Sequence, residues 1–256
     1  MTFRYLVYDI ETVVDKPMLN RVSYMGLGLS DEDAYAKELE MLNAQEAGRS
    51  FVNPSFHQPV AIVGLALDET CAIQKLAVLG EGSLASRVGK FWSVFSESRP
   101  VLVDFNGKGF DLRVLELWAY RLGIALPDFY FAKFGPRTRY NLDAHLDLHE
   151  FLSNHGAIRF KGGLNLFAKL LGFPGKLDVT GDQVQALYDA GKLFEIEDYC
   201  MGDVMDTYFV FLRVQVVRGV LSLDQEKRLI DEARLFMERF AAETGYLKAY
   251  IAACTP

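Results

Sequence analysis

The chain is predicted to fold as a mixed α/β protein, a sheet flanked by helices with further helices added at the C-terminus, and three observations carry that prediction. A β-favouring apolar run at residues 3–7 leads into the paired acids Asp9 and Glu11. Two more apolar runs, 60–67 and 71–79, are separated only by Asp68-Glu69-Thr70 and read as a hairpin. Beyond Leu126 the remaining signals are mostly caps and helical periodicities.

The elements follow in order. After the first strand comes a polar, turn-rich connection, and Ser30-Asp31-Glu32-Asp33 then opens an acidic helix running to about Gly48. Residues 49–59, with Pro54 and Pro59, read as a loop that delivers the chain into the hairpin. Residues 83–97 read as a helix and 100–103 as a buried strand ending at Asp104-Phe105-Asn106. Residues 110–122 read as an amphipathic helix, with Leu112, Leu115 and Trp118 or Ala119 on its apolar face. Short helices are expected at 147–153 and 164–171, and another follows the Thr180-Gly181-Asp182-Gln183 cap. A long helix spans about 196–217, and Ser222-Leu223-Asp224-Gln225 caps a last one to about Thr244. The tail 246–251 is expected to dock by its apolar residues.

With 256 residues, half of them hydrophobic, the chain is long enough for a full core and is expected to be one domain, 1–256, with a core at about 1–217 and a C-terminal helix and tail at 218–256. No secretory leader pattern is present, nor an apolar stretch near the ~20 residues of a membrane span, so a soluble, unprocessed protein with no membrane partner is expected. Cys71, Cys200 and Cys254 are odd in number, widely spaced and outside any Cys-x-x-Cys pattern, which suits a reducing cytoplasm.

Asp9 and Glu11 are two apart on a strand, so both side chains point to one face. Two carboxylates side by side in an apolar element repel each other, and a hard divalent cation would neutralise them. Alone, the pair is more often a solvated strand end. Asp111 falls in the first turn of the helix that follows the Asn106-Gly107-Lys108-Gly109 turn, where a carboxylate can project towards the strand end; ordinary helix N-terminal electrostatics is the blander account. Tyr199 and Asp203 are four apart on one face of the long helix, while Cys200, Val204, Tyr208 and Phe211 mark another, apolar face. Four carboxylates from three elements match what is needed to hold two divalent ions about 4 Å apart across a phosphodiester.

The net charge of −7 argues against non-specific coating of nucleic acid, but its distribution is uneven. Residues 129–177 carry seven basic residues (Lys133, Arg137, Arg139, Arg159, Lys161, Lys169, Lys176) against three acids, a net +4, with aromatics interleaved, among them Phe129, Tyr130, Phe131, Phe134, Tyr140, Phe160 and Phe167. That composition suits a groove that tracks a nucleic-acid backbone and stacks bases, although any one of these aromatics is more often core.

The order Asp-Ile-Glu, then Asn-Gly-x-Gly-Phe-Asp, then Tyr-x-x-x-Asp resembles the exonuclease motifs of the DnaQ-like 3′–5′ exonucleases, in their tyrosine-containing DEDDy subgroup. More closely, the chain is similar to stand-alone bacterial proteins described as predicted 3′–5′ exonucleases related to the proofreading domain of family B DNA polymerases. That likeness is carried by Phe56-His57-Gln58-Pro59-Val60-Ala61-Ile62, by Phe105-Asn106-Gly107-Lys108-Gly109-Phe110-Asp111-Leu112, by His145-Leu146-Asp147-Leu148, by Gly172-Phe173-Pro174-Gly175-Lys176 and by Tyr199-Cys200-Met201-Gly202-Asp203-Val204. It extends to about Arg213. The resemblance implies a ribonuclease H-like fold with a mixed five-stranded sheet. It makes Asp9, Glu11, Asp111 and Asp203 the ligands of two divalent cations, Mg²⁺ or Mn²⁺, with Tyr199 orienting the attacking water. Ile10, Thr12, Phe105, Asn106, Gly107, Lys108 and Phe110 become candidate contacts to the terminal nucleotide. The implied partner is nucleic acid with a free 3′ end, single-stranded DNA ahead of RNA. Met201-Gly202, Asp104-Phe105 and Arg113 depart from the commoner pattern without removing a ligand. Gly202 inside a helix costs roughly 1 kcal/mol relative to alanine and suggests a close approach of substrate or metal.

Asp147 is read as a helix cap that also orients a basic residue, ahead of an additional acid at the site. His145, His149 and His155 are read as polar or surface histidines, ahead of a zinc site. Two other functions compete with the DNA exonuclease: a 3′–5′ exoribonuclease, and a non-catalytic nucleic-acid-binding protein that keeps the fold. The intact acidic set argues against the second, since a binding module has no use for mutually repelling carboxylates. Hydrolysis of a small nucleotide is a third possibility, against which the basic middle counts mildly.

Overall fold

Among the residues that the computed structural model describes (3–45, 51–176 and 181–254), one five-stranded mixed sheet organises the chain. Its central strand β1 (Tyr5–Val14) runs antiparallel to β2 (His57–Leu67), which pairs with β3 (Ile73–Val78) as the expected hairpin. On the other side β1 runs parallel to β4 (Val101–Asp104), and β4 parallel to β5 (His145–Asp147), so the order is β3-β2-β1-β4-β5. The helices are α1 (Lys16–Ser23), α2 (Asp31–Gln45), α3 (Leu84–Ser98), α4 (Asp111–Leu122), α5 (Pro127–Tyr130), α6 (Leu148–Leu152), α7 (Gly163–Leu170), α8 (Gly181–Asp189), α9 (Leu193–Val217), α10 (Leu223–Thr244) and α11 (Lys248–Ala253).

The alternation of β1 sorts its side chains between two layers. Leu6, Tyr8 and Ile10 join Ile62 and Leu102 in a core closed by Phe91, Trp92 and Phe95 of α3 and by Leu112, Leu115 and Trp118 of α4. Val7 and Val13 face the opposite core, built on α9 through Val204, Tyr208 and Phe211. Buried on most of its sides from Ile196 to Gln215, α9 lies between the sheet and α10, where the Arg213 guanidinium pairs with both oxygens of Glu226 at 2.7 and 2.9 Å. Phe173 stacks on Phe209, ring centroids 3.9 Å apart.

Several elements differ from the sequence expectations. β1 continues to Val14, which places Asp9 and Glu11 inside the strand. The expected loop after it contains α1, because the Asp15 carboxylate accepts the Met18 N–H at 3.2 Å, Pro17 suits a first turn, and Leu19 is buried with Val14 and Tyr24. Pro59 lies within β2 and not in a loop; it sits opposite Thr12, where the register shifts between Glu11 and Thr12, so its missing N–H falls at an irregularity of the ladder. Residue 145 begins a strand too short to show an alternation, β5, which the resemblance implied in number but the residues did not locate. The expected end of α2 near Gly48 and the Thr180 cap of α8 lie outside the described residues.

Ser30 caps α2 as expected, Ser83 caps α3, and Ser222 with Gln225 forms a full capping box on α10. The tail docks through buried Leu247 and Tyr250. Polar contacts help it: the Tyr250 hydroxyl donates to Asp206 at 2.6 Å, that of Tyr246 to Glu197 at 2.6 Å, and the Leu247 N–H to Asp198 at 2.5 Å. The close approach at Gly202 is made by the Tyr250 ring, which would lie 3.3 Å from a Cβ there; the glycine admits α11 and not a ligand.

Candidate active site

Three elements bring the acidic side chains to one end of the central strands. Asp9 and Glu11 continue the face of β1 that carries Val7, and therefore point to α9. On α9, Tyr199 and Asp203 lie one turn apart, and the tyrosine hydroxyl is hydrogen-bonded to the Asp203 carboxylate. β4 ends at Asp104, and a tight turn returns the chain so that buried Asp111, the first residue of α4, meets the Ile10 backbone beside Asp9. The other four expected catalytic side chains thus all fall within electrostatic reach of Asp9.

Their titration reflects that crowding. Burial, and then the charges of Asp111, Glu11 and Asp203, push the Asp9 carboxyl well above its ordinary range. Burial and Asp203 raise Glu11 in the same direction, with the Lys176 ammonium opposing and Asp111 adding to the rise. Burial, followed by the charge of Asp104, pushes Asp111 up to about 8 against hydrogen bonds from backbone N–H groups. Asp203 is pushed up by burial to about 6, with Lys176 and the Tyr199 hydroxyl opposing. Burial and three neighbouring carboxylates raise Tyr199 far above its usual range, so it is an un-ionised hydroxyl.

A donor set of hard oxygens with an unbalanced negative charge fits a divalent cation. Ligand atoms of Asp9, Glu11 and Cys200 lie within 4.8 Å of one another, and Asp111 and Asp203 stand around that group. Cys200 joins the carboxylates without a signal in the sequence. Its thiol lies 3.5 Å from the Asp9 carboxylate and 3.4 Å from the Asp9 carbonyl, although helical periodicity assigned it to the apolar face. Lys176, visible in sequence only as part of a basic segment, is the cation that faces Glu11 and Asp203. The turn that presents it is fixed by the Asn165 side chain, which accepts the Lys176 N–H at 2.9 Å.

Beneath the site, the aligned ends of β4 and β5 carry two buried carboxylates. Asp104 accepts the Gly107 N–H at 2.9 Å and contacts the His145 ring at 2.6 Å. A Cβ at position 107 would overlap the Asp104 carboxylate, so only glycine fits. Asp147 accepts the N–H groups of Asn106 at 3.0 Å and Lys108 at 3.1 Å, and caps α6 through the Glu150 N–H at 3.1 Å. It is the helix cap expected from sequence, but what it orients is the backbone of the turn and not the charge of a basic side chain. His145 is buried against Asp104, whereas His155 is half-buried beside Glu150.

The expected nucleotide contacts divide between two cavities. Ile10, Thr12 and Phe110 line one of about 480 Å³ that also includes Glu11 and Lys176, with Phe51 and His57 packed against Phe110. Thr12 is tied to His57, Oγ1 to Nδ1, at 2.8 Å. Asn106 and Lys108 line the other, of about 410 Å³. Asn106 adopts a left-handed conformation, φ 73°, and is exposed; the Lys108 ammonium donates to Glu150 and to the Arg139 carbonyl at 2.9 and 2.8 Å. Gly107 is buried, and Phe105 packs beside His149 and Phe167.

A mixed five-stranded sheet whose central strands end in a cluster of carboxylates defines a ribonuclease H-like nuclease. Residues 49–254 match the family described as predicted 3′–5′ exonuclease related to the exonuclease domain of PolB, and the chain belongs to that family. The match begins after Asp9 and Glu11 and runs through α10 and α11, well beyond Arg213, where the motif resemblance ends. No curated protein matches the chain. Among the described residues no helix is long and apolar enough to cross a membrane.

Proposed function

We propose that the protein is a metal-dependent 3′–5′ exonuclease of the DEDDy type, which shortens single-stranded DNA from its 3′ end to nucleoside 5′-monophosphates. The observation that carries this reading is the convergence of Asp9, Glu11, Asp111 and Asp203 with the Tyr199 hydroxyl. Two divalent cations, Mg²⁺ or Mn²⁺, held by those four carboxylates would neutralise the cluster, activate water and stabilise the leaving oxygen. The water oxygen bonds to phosphorus, and the bond from phosphorus to the 3′-oxygen of the penultimate nucleotide breaks. The shortened strand keeps that oxygen as its 3′-hydroxyl, and the released nucleotide keeps the phosphate.

The chain's own groups supply position. Tyr199, held un-ionised and donating to Asp203, offers its oxygen lone pair to a hydrogen of the attacking water. Lys176 brings positive charge to the side of the cluster where the phosphodiester must lie. The cavity beside Glu11, walled by Ile10, Thr12 and Phe110, suits one terminal nucleoside. Kinship with a DNA polymerase exonuclease domain favours DNA. We assign the whole chain to one exonuclease domain, its core within about 1–217, and place it in the cytoplasm, where Cys71, Cys200 and Cys254 would stay reduced as the free thiols they are.

The test is degradation of 5′-labelled single-stranded DNA and RNA of one sequence with Mg²⁺, Mn²⁺ or EDTA. The expected result is a metal-dependent ladder shortening from the 3′ end, faster on DNA and absent with Asp9→Ala. Faster loss of RNA would make the protein an exoribonuclease. No cleavage by folded, metal-bound protein would leave a binding module.

A further inference from the structure

The second cavity, on the far side of the 106–110 turn from Glu11, has a different character. Its lining includes Asn106, Lys108, Arg113, Arg137, Arg139 and His155, and no residue of the proposed cation site. Two acids lie beneath these cations. Glu116 accepts from Arg113 at 2.8 Å and faces Arg137 at 3.6 Å; Glu150 pairs with Lys108 at 2.9 Å and Arg139 at 3.5 Å. The layering decides how the charges are used. The Glu116 and Glu150 side chains are 9% and 19% exposed, whereas Arg113, Arg137 and Arg139 are 46%, 44% and 56% exposed. Each guanidinium has five donors in a planar fork. The carboxylates below hold the forks in place, and their outer edges face the groove.

Aromatic rings flank the cations. Arg137 lies over Tyr130 at 4.6 Å and Arg139 over Tyr140 at 5.7 Å. Tyr140 packs edge-on against His155 and is two-thirds exposed; Phe134 and Phe131 are also open to solvent. Exposed rings among outward-facing guanidinium groups are the combination that binds a single strand without reading its sequence: phosphates meet the cations, and bases stack on the rings.

We propose that this groove carries the strand on the 5′ side of the scissile bond, with its phosphates on Arg113, Arg137 and Arg139 and a base on Tyr140. This rests on the exonuclease reading above. The 106–110 turn walls both cavities, through Asn106, Lys108 and Gly109 on one side and Phe110 on the other. A strand whose last nucleoside lies beside Glu11 passes over that turn into the groove. The protein then favours chains of several nucleotides over a dinucleotide, and does so without base preference.

The test is fluorescence anisotropy of labelled oligothymidylates of two, four, eight and twelve nucleotides in EDTA, across a salt series. A parallel cleavage assay in Mn²⁺ uses the same oligomers. Binding by the unmodified protein is expected to tighten at least tenfold from two to twelve nucleotides. The double variant Arg137→Gln/Arg139→Gln is expected to lose most of that gain and to bind with a log–log salt slope shallower by about 1.4, at about 0.7 per phosphate contact on a single strand. Tyr140→Ala leaves both carboxylates paired and serves as an independent probe, expected to weaken the longer oligomers about fivefold or more. An unchanged gain with length in both variants, or an equal loss at every length, overturns the proposal. Cleavage without any groove effect would refute the groove and keep the exonuclease; a groove effect without cleavage would refute the exonuclease and keep the groove as a strand-binding surface.

Discussion

Asp9 is the residue on which the requirements of folding and of the site conflict most openly. It is a carboxylate inside the central strand, facing three others, and its protonation is favoured well above the ordinary range by burial and by Asp111, Glu11 and Asp203. Asp9→Asn puts a neutral amide where the buried carboxyl must either take up a proton or add to the repulsion. In EDTA near neutral pH the variant is therefore expected to melt higher, by about 2–4 °C for each 1 kcal/mol of relieved repulsion. Divalent cation should raise its melting temperature less than that of the unmodified protein, and exonuclease activity should fall at least a hundredfold. A lower melting temperature in EDTA would show that the cluster is not under strain. Tyr199→Phe keeps the ring and removes the hydroxyl, and is expected to lower kcat about a hundredfold with little change in KM or stability, the loss typical of a misplaced reactant. At this scale local periodicity made much of the site legible: two residues on a strand and four on a helix bring Asp9 to Glu11 and Tyr199 to Asp203. Cys200 and Lys176 were not legible as neighbours of the carboxylates. The angle at which α9 crosses β1, and the path of the 172–176 turn, are set by packing such as Phe173 on Phe209.

The turn from β4 to α4 shows how one element is held by another far away in sequence. Asn106 in a left-handed conformation, Gly107 and Lys108 have their N–H groups taken by Asp104 and Asp147, and Asp147 stands at the end of a strand some forty residues on. Asp147→Ala removes the α6 cap, worth about 1 kcal/mol, and leaves two backbone N–H groups of the turn without their acceptor. A total loss of about 2–3 kcal/mol in urea unfolding is expected, together with reduced activity, because Asp111 follows that turn directly. Asp143→Ala is the comparison: Asp143 is exposed, its nearest cation is Arg218 at 3.8 Å, and a change within about 0.5 kcal/mol is expected. Equal stability of the two variants would refute the bracing role. The element scale also explains what sequence could not supply. β5 has three residues, too few for a period, and is defined only by its parallel pairing with β4, which sets Asp147 opposite Asp104. α1 is short and mostly polar, and its single buried residue, Leu19, is indistinguishable in sequence from a loop leucine. Long or strongly capped elements, such as α3, α9 and α10, carried their own signals.

For the whole molecule, the displaced titrations set a sign for the pH dependence of stability. Asp203 is pushed up to about 6 by burial, with Lys176 and Tyr199 opposing, and Asp111 to about 8 by burial and Asp104. Asp206 is pushed up to about 7 by burial against the Tyr250 hydroxyl that donates to it. In the unfolded chain all three titrate near 3.8. Between those limits the metal-free native protein holds protons that the unfolded chain has released. Stability is therefore fully present below about pH 4 as far as these groups are concerned, and is lost as pH rises through 6 to 8, by up to about 1.4 kcal/mol per pH unit for each proton involved. A divalent cation binds the ionised form of the cluster and acts in the opposite direction, so its stabilising effect grows with pH. Melting curves in EDTA and in Mn²⁺ from pH 5 to 8.5 are expected to diverge, with the metal-free curve falling and the metal-induced shift largest at the alkaline end. Asp206 separates the two effects, since it supports the docked tail and is not one of the proposed ligands: its share of the decline should persist in saturating metal and disappear in Asp206→Asn. A metal-induced shift independent of pH would mean that the carboxylates are ionised before any cation arrives, and the crowding described around Asp9 would then not govern the site.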